Sequence, residues 1–169
     1  MALLKIVKSG DPVLRTKTQI IETIDASLHE FIADMFRTMY AAPGIGLAAN
    51  QVGVSKAIAV IDLQPGGRKQ PFVIINPEVT EKSGEIKEDE GCLSVPGFSG
   101  LVKRFVRVKV RALNAEGVPV EIEGEGLMAR CLQHEIDHLN GKLYVDRMPL
   151  VPRLRLKRAI SRRRSQGLF

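Results

Sequence analysis

The pentapeptide His134-Glu-Ile-Asp-His138 constrains the chain most, because its two histidines can cooperate only if they lie on an α-helix. On a helix they are one turn apart and project from the same face, so both imidazoles can bind one metal ion. Glu135 lies about 100° around the helix from His134, near enough to act on a water at that metal without ligating it. Two exposed histidines on an amphipathic helix are the alternative. The pattern predicts a metal-bearing helix over residues 127–139.

A hydrolytic metal site needs a third protein ligand and an open position for water. Two common protease patterns extend this pentapeptide, and both fail in this chain. Tyr144 stands where one of them requires a third histidine, and Asp146, too close in sequence for the other, is the only acidic residue after His138. The third ligand therefore has to come from elsewhere in the sequence.

Three other side chains are candidates for the third ligand. Cys131 lies seven residues before His138, which is about 10.5 Å along a helix axis, so we interpret it as a small apolar residue lining that face. His29 borders the apolar face of an earlier helix and is interpreted as solvated or partly packed. Cys92, in Glu90-Gly-Cys-Leu-Ser94, is the favoured ligand, because the glycine beside it lets the backbone approach closely.

The hydrophobic periodicity predicts an α+β domain with mainly antiparallel sheet, because strands occur in runs and helices are kept apart from them. A helix over residues 26–41 has Asp25 as its N-cap and ends before Pro43-Gly44. Four segments are predicted strands, the last two joined by a hairpin turn at 114–117: residues 57–62, 72–76, 106–111 and 118–123.

Charge is distributed unevenly along the 169 residues, whose net formal charge is +6. Residues 1–146 carry 17 basic and 19 acidic side chains, whereas residues 147–169 carry eight basic and no acidic ones. We interpret residues 1–146 as one domain and residues 147–169 as a basic tail, helical after Pro152. The tail is either a solvated helix or a surface that contacts nucleic acid.

Cysteine content and hydropathy indicate the compartment. Two cysteines are too few for the disulfide framework of a small secreted domain, so a reducing cytoplasm is expected. No stretch approaches the ~20 apolar residues of a membrane-spanning helix, and we expect neither a membrane nor DNA as partner.

Three segments, Gly44–Gln51, Glu90–Ser94 and His134–His138, together resemble the peptide deformylase family in their order and spacing. The resemblance implies an α+β fold with antiparallel sheets around a central helix that bears the metal motif. It also implies a metal-dependent hydrolase that removes the N-formyl group from the N-terminal methionine of newly made polypeptides and releases formate. Some members of the family use a C-terminal helix to dock on the ribosome near the exit of the nascent chain.

The resemblance also implies the metal site. Cys92, His134 and His138 would ligate one divalent metal ion, natively Fe(II), with Zn(II), Ni(II) or Co(II) as replacements. Glu135 would be the general acid/base for attack of the metal-bound water on the formyl carbon.

Substrate contacts follow from the same resemblance. The Gln51 side chain and the backbone N–H of Leu93 would hold the developing oxyanion. The backbones of Ile45, Gly46 and Gly91 would pair with an extended peptide. The walls of an apolar methionine pocket would come from Ile45, Leu127 and Cys131.

Two features depart from the family pattern. The family often has an arginine a few residues after the cysteine motif, but the segment Val95–Gly100 has none. Glu88 and Arg130 stand where many members carry apolar rim residues, and we expect both to face solvent, with an ion pair across the rim as the alternative.

Two other functions are open at this point. One is a peptidase that uses the same metal helix to cleave internal peptide bonds. The other is a binding protein with a structural metal ion and a tail that contacts RNA.

Overall fold

A computed structural model describes residues 2–169, so Met1, the first residue of the predicted domain, lies outside the described residues. The helices are α1 (Ala26–Ala41), α2 (Leu127–Leu139) and α3 (Leu150–Ser165). The strands are β1 (Gly46–Ala48), β2 (Ile58–Ile61), β3 (Phe72–Ser83), β4 (Ile86–Gly91), β5 (Ser99–Arg104), β6 (Arg107–Leu113) and β7 (Pro119–Glu125).

Five of the strands form one antiparallel sheet in the order β1-β2-β3-β6-β7, and β4 and β5 form a separate hairpin. The period of two along a strand sends alternate side chains to opposite faces. In β2, Ile58 and Val60 pack against α1, whereas Ala59 and Ile61 pack against α2. The larger sheet is therefore covered by a helix on each face, and α2 is buried between this sheet and the rest of the chain.

Helix α1 has the bounds that its periodicity predicts. The Asp25 side chain accepts a hydrogen bond from the Leu28 N–H at 2.9 Å, which satisfies one of the free donors of the first turn. Met35 and Met39, one turn apart, are fully buried against the sheet. The predicted helix and its cap are confirmed.

Helix α2 also has the predicted bounds, and it lies on the opposite face of the sheet. Leu132, Ile136 and Leu139 form its apolar stripe against the sheet. The strand β7 can approach it because Gly124 has no side chain: a Cβ there would lie 2.9 Å from Leu132 Cδ1. The helix therefore holds its histidines at a fixed distance from the sheet.

Three expectations about the elements need correction. The strand predicted over residues 72–76 continues as β3 to Ser83, with two register shifts against β6. The hairpin of β4 and β5 was not predicted, because most of its side chains are polar and exposed. Helix α3 begins at Leu150 rather than after Pro152, since a proline is tolerated in the first turn of a helix.

Helix α3 packs through one side chain above all. Ile160 is 4% exposed and belongs to a buried cluster with Val95, Tyr144 and Met148. Among residues 2–169, no helix is long and apolar enough to cross a membrane. The predicted fold class, α+β with mainly antiparallel sheets around α2 and a basic C-terminal helix, is confirmed.

Candidate metal centre

Helix α2 and the turn after β4 bring three potential metal ligands together. His138 Nε2 lies 3.2 Å from His134 Nε2 and 3.2 Å from Cys92 Sγ. The three ligand atoms all lie within 4.8 Å of one another. Cys131 is outside this group and is buried as an apolar residue, and the His29 ring nitrogen is 2.9 Å from the Ala115 carbonyl oxygen.

The Cys92 sulfur is held by a tight turn. The Val95 N–H donates to the Cys92 carbonyl at 2.9 Å, and the Ser94 N–H donates to Cys92 Sγ at 3.4 Å. Gln51 Nε2 is 3.5 Å from the same sulfur and 3.3 Å from Ser94 Oγ. These N–H groups fix the position of the sulfur, whose thiolate form is the one that binds metal.

His134 is oriented from behind by a carboxylate. Its Nδ1 lies 3.1 Å from Glu90 Oε2, which leaves Nε2 facing His138 and Cys92. Glu90 in turn accepts two hydrogen bonds from Arg104, at 2.8 and 2.9 Å. Burial raises the pKa of Glu90, but the hydrogen bonds from His134 and Arg104 outweigh it and bring the pKa to about 2. A carboxylate paired in this way fixes the tautomer and direction of a metal-binding histidine.

The same arginine links the centre to the far side of α2. Arg104 Nη1 donates to Asp137 Oδ2 at 2.6 Å, and Arg147 donates to both Asp137 oxygens at 2.6 and 3.0 Å. Burial raises the pKa of Asp137, but Arg147 and Arg104 together lower it below its usual value. An alternating row of charges thus runs from Glu90, which orients His134, through Arg104 and Asp137 to Arg147.

The donor set fits a divalent transition metal. One thiolate and two imidazoles suit Fe(II), Zn(II) and similar ions, and three protein ligands leave a coordination position for water or substrate. Cys92 and His134 line a cleft, so a metal ion held by them would be accessible to a substrate in the cleft. The residues present therefore fit a catalytic metal ion better than a closed structural one.

Glu135 lies beside the three ligands. It is 3% exposed, and its Oε2 has no hydrogen-bond partner among the described residues. Burial raises the pKa of Glu135 to about 7, so the carboxyl can both take and give a proton near neutral pH. Position 46 has to be glycine, because a Cβ there would overlap Glu135 Oε1 and lie 3.0 Å from Cys131 Sγ.

The cleft has a volume of about 580 Å³. The cleft is lined by most of the site residues that were expected from the sequence. His138 is the exception, because it lies beneath the cleft and is only 1% exposed. Cleft-lining residues that the sequence indicated are Ile45, Gly46, Gln51, Gly91, Cys92, Leu93, Leu127, Cys131, His134 and Glu135.

Glu88 and Arg130 form an ion pair at 2.5 Å, so the expectation that both face solvent is wrong. Arg130 lines the cleft, and its side chain is 20% exposed. The pair forms because Glu88 lies on the same face of β4 as Glu90, the face that is directed at α2. A partly exposed pair of this kind contributes little stability.

Sequence reasoning missed Arg104 and the cleft wall Val95–Phe98. Arg104 has a signal in the alternation of β5, where Gly100, Val102 and Arg104 all point inward. The wall has no comparable signal, because its position depends on contacts from the C-terminal helix.

Comparisons with known proteins agree with this geometry. The family model for polypeptide deformylase matches residues 3–153. The peptide deformylase of Hahella chejuensis is 50% identical over 96% of both chains, and that of Alkalilimnicola ehrlichii is 47% identical over 99% of this chain and 94% of its own. The crystal structure of a peptide deformylase from Legionella pneumophila superposes with a TM-score of 0.90, at 48% identity and 98% coverage of both chains. The chain therefore belongs to the polypeptide deformylase family, metal-dependent hydrolases that remove the N-formyl group from newly made polypeptides.

Proposed function

We propose that Cys92, His134 and His138 hold the metal ion of this deformylase and that Glu135 serves as its general acid/base. The observation that carries the proposal is the convergence of one sulfur and two nitrogens within 4.8 Å, at a cleft that Cys92 and His134 line. The buried Glu135 beside them has a free carboxylate oxygen. The substrate would be the formylated N-terminal methionine of a new polypeptide, and the products would be formate and a free amine.

We propose Fe(II) as the native metal, with Zn(II), Ni(II) or Co(II) able to replace it. A bound metal would lower the pKa of water and polarise the formyl oxygen. The thiol of Cys92 and an Fe(II) ion are both oxidisable, which supports a reducing cytoplasm as the place of action. Metal analysis of protein purified without oxygen tests this choice, and iron below the level of the other metals would overturn it.

Glu135 would move the proton that the reaction requires. A new C–O bond forms when water attacks the formyl carbon, and the carboxylate of Glu135 takes the proton that the water loses. The C–N bond then breaks, and Glu135 gives that proton to the departing amine nitrogen. Burial raises its pKa to about 7, which suits a group that has to accept and donate in one cycle.

Gln51 and Leu93 would stabilise the negative charge on the former formyl oxygen. The Gln51 side chain is oriented by its own carbonyl, because Oε1 accepts the Ala48 N–H at 2.9 Å. This leaves Nε2 beside the Cys92 sulfur and directed at the metal centre. A fixed donor of this type contributes about 3 kcal/mol to a comparable transition state.

The peptide would lie between two strand edges. β1 is an edge strand of the five-stranded sheet and carries Gly46, and β4 ends at Gly91 on the other side of the cleft. The backbones of Ile45, Gly46 and Gly91 would pair with an extended chain, although the Ile45 carbonyl already accepts the Asp62 N–H at 2.9 Å. The methionine side chain would enter the apolar space beside Leu127 and Cys131.

A formate assay tests the proposal. Protein prepared without oxygen and loaded with metal should release formate from a formyl-methionyl tripeptide, and metal-free protein should not. Cleavage of an internal peptide bond in an unformylated peptide would instead favour a peptidase. Metal binding without either reaction would favour a binding protein.

We also propose that α3 docks on ribosomal RNA. Arg155, Arg158 and Arg162 occupy positions i, i+3 and i+7 of the helix, so they share one face, and all three are exposed. None of them forms an ion pair with another of residues 2–169. The other basic residues of the tail contact the body of the protein: Arg147, Arg153, Lys157, Arg163 and Arg164.

Co-sedimentation with ribosomes tests the docking. The triple variant R155Q/R158Q/R162Q should bind ribosomes more weakly, and the slope of log affinity against log salt should flatten by about 2. The control K17Q/K56Q/R68Q removes the same charge from exposed positions outside α3. An equal loss in both variants would leave only a general effect of charge and would overturn the proposal.

A further inference from the structure

The segment Val95–Phe98 forms one wall of the cleft, and helix α3 holds it in place. Arg163 Nη1 donates to the Pro96 carbonyl at 3.3 Å. The guanidinium carbon of Arg163 lies 5.3 Å from the centre of the Phe98 ring, within the range of a cation–π contact. The Arg163 side chain of α3 thus contacts both the backbone of the wall at Pro96 and the aromatic ring of Phe98.

Gly97 permits this close contact. Its φ of +78° is a conformation that other residues rarely adopt, and a Cβ at this position would overlap Arg163 Nη1. The guanidinium therefore occupies the space that a side chain at position 97 would fill. The absence of a side chain at Gly97 and the position of the Arg163 guanidinium are therefore sterically complementary.

Two further contacts attach the same wall to the C-terminal segment. The Phe169 ring packs edge-on against the Phe98 ring, with the centroids 6.3 Å apart. Ile160 of α3 lies in the same buried cluster as Val95, and Cys92 packs against that cluster. The wall is therefore held at Val95, Pro96 and Phe98 by residues of α3 and by the C-terminal Phe169.

We propose that Arg163 is a positioning residue for substrate binding, which sets the cleft wall Val95–Phe98 in the conformation that receives the formyl peptide. This inference rests on the proposed function. A wall that contains Gly97 and lacks this contact would sample more conformations, and the peptide would have to order it on binding. The ordering cost reduces affinity, whereas Arg163 contacts Pro96 and Phe98 and neither a metal ligand nor Glu135. The effect should therefore fall on KM rather than on kcat.

Steady-state kinetics of the Arg163→Ala variant test the proposal. For a formyl-methionyl tripeptide we expect KM to rise about three- to tenfold, with kcat within about twofold of the parent value and an unchanged metal content. Arg164→Ala is the matched control, because Arg164 carries the same charge, lies next in the helix and packs against Gly10 rather than the wall. Its KM should equal that of the parent protein.

Two additional variants keep the test decisive. Arg163→Lys retains a cation over Phe98 and should recover part of the lost affinity, and Phe169→Ala should raise KM in the same direction as Arg163→Ala. An unchanged KM in Arg163→Ala, or an equal rise in Arg164→Ala, would overturn the inference. In either case formate release by the parent protein would still support the proposed function, so the two proposals fail separately.

Discussion

Arginine is used in opposite ways beneath the metal centre and on the outer face of α3. Arg104 is 4% exposed and makes three hydrogen bonds of 2.6 to 2.9 Å to the carboxylates of Glu90 and Asp137. Arg158, in the middle of α3, is exposed and forms no ion pair among the described residues. The buried arginine uses its hydrogen-bond donors within the protein, whereas the exposed one is available to bind a partner.

The difference between the buried and the exposed arginine shows which charges of the chain are available to a binding partner. A buried charge without its partner is costly, so the charges of Glu90, Arg104 and Asp137 have to stay balanced, and Glu90 among them orients His134. Exposed charges cost little to leave unpaired, so they accumulate on α3 and produce the excess positive charge of the chain. Net charge therefore reports on the outer surface and says nothing about the chemistry of the cleft.

The largest expected effect is at the proton-transfer group. Glu135→Gln keeps the size of the side chain but removes its ability to take a proton, so we expect kcat for formate release to fall by about 10³-fold. The metal content should stay unchanged, because Glu135 is not among the converging ligands. Glu22→Gln, at an exposed position outside the cleft, is the control. Activity within tenfold of the parent would remove Glu135 from the proposed role.

The next effect compares the two arginines directly. Arg104→Ala leaves Glu90 and Asp137 buried without their shared partner, so we expect the free energy of unfolding to fall by about 3 kcal/mol or more. Arg158→Ala should change it by less than about 0.5 kcal/mol. Chemical denaturation of both variants measures the difference. Equal losses in the free energy of unfolding would mean that burial does not increase the contribution of Arg104 to stability.

A third prediction separates the orientation of His134 from the stability of the fold. Glu90→Gln keeps a similar shape but removes the negative charge beside His134 Nδ1, so we expect metal affinity to fall about 10- to 100-fold. Competition with a chelator measures the affinity. Glu88→Gln is two residues away in the same strand, and it should leave metal affinity unchanged because its partner is Arg130.

The sequence predicted most of what periodicity and motifs encode. The apolar stripes of α1 and α2 gave both helices their correct bounds, and the pentapeptide in α2 together with the motif around Cys92 indicated the three side chains that converge. The helix bounds and the two histidines depend on local spacing, which tertiary contacts do not alter, whereas Cys92 was indicated by the exclusion of other ligands and by the family resemblance.

The sequence could not predict features that depend on distant contacts. The hairpin of β4 and β5 has mostly polar side chains, so it was not recognised, and the alternation that turns Arg104 inward is visible only once β5 is known to be a strand. The attachment of Arg163 to Pro96 joins residues 67 positions apart, and no local pattern indicates it. The tail was interpreted mainly from its charge, and its narrow apolar face did not indicate that Ile160 packs in a buried cluster with Val95.

The smallest expected effect concerns Asp146, where α3 meets the catalytic body. Burial raises the pKa of Asp146, but the hydrogen bonds from the Leu143 N–H and Arg15 outweigh it, so the folded pKa lies below the usual 3.8. A lowered carboxyl pKa stabilises the fold above that usual value, and the contribution is lost as pH falls through the folded pKa. Asp146→Asn should therefore cost about 1 kcal/mol at pH 7, and the gap to the parent should close below about pH 4. Lys157→Gln, which removes only the 3.5 Å contact to Asp146, should cost less. Urea denaturation at several pH values measures both, and a gap that persists undiminished at pH 3 would show that the charge of Asp146 does not stabilise the fold.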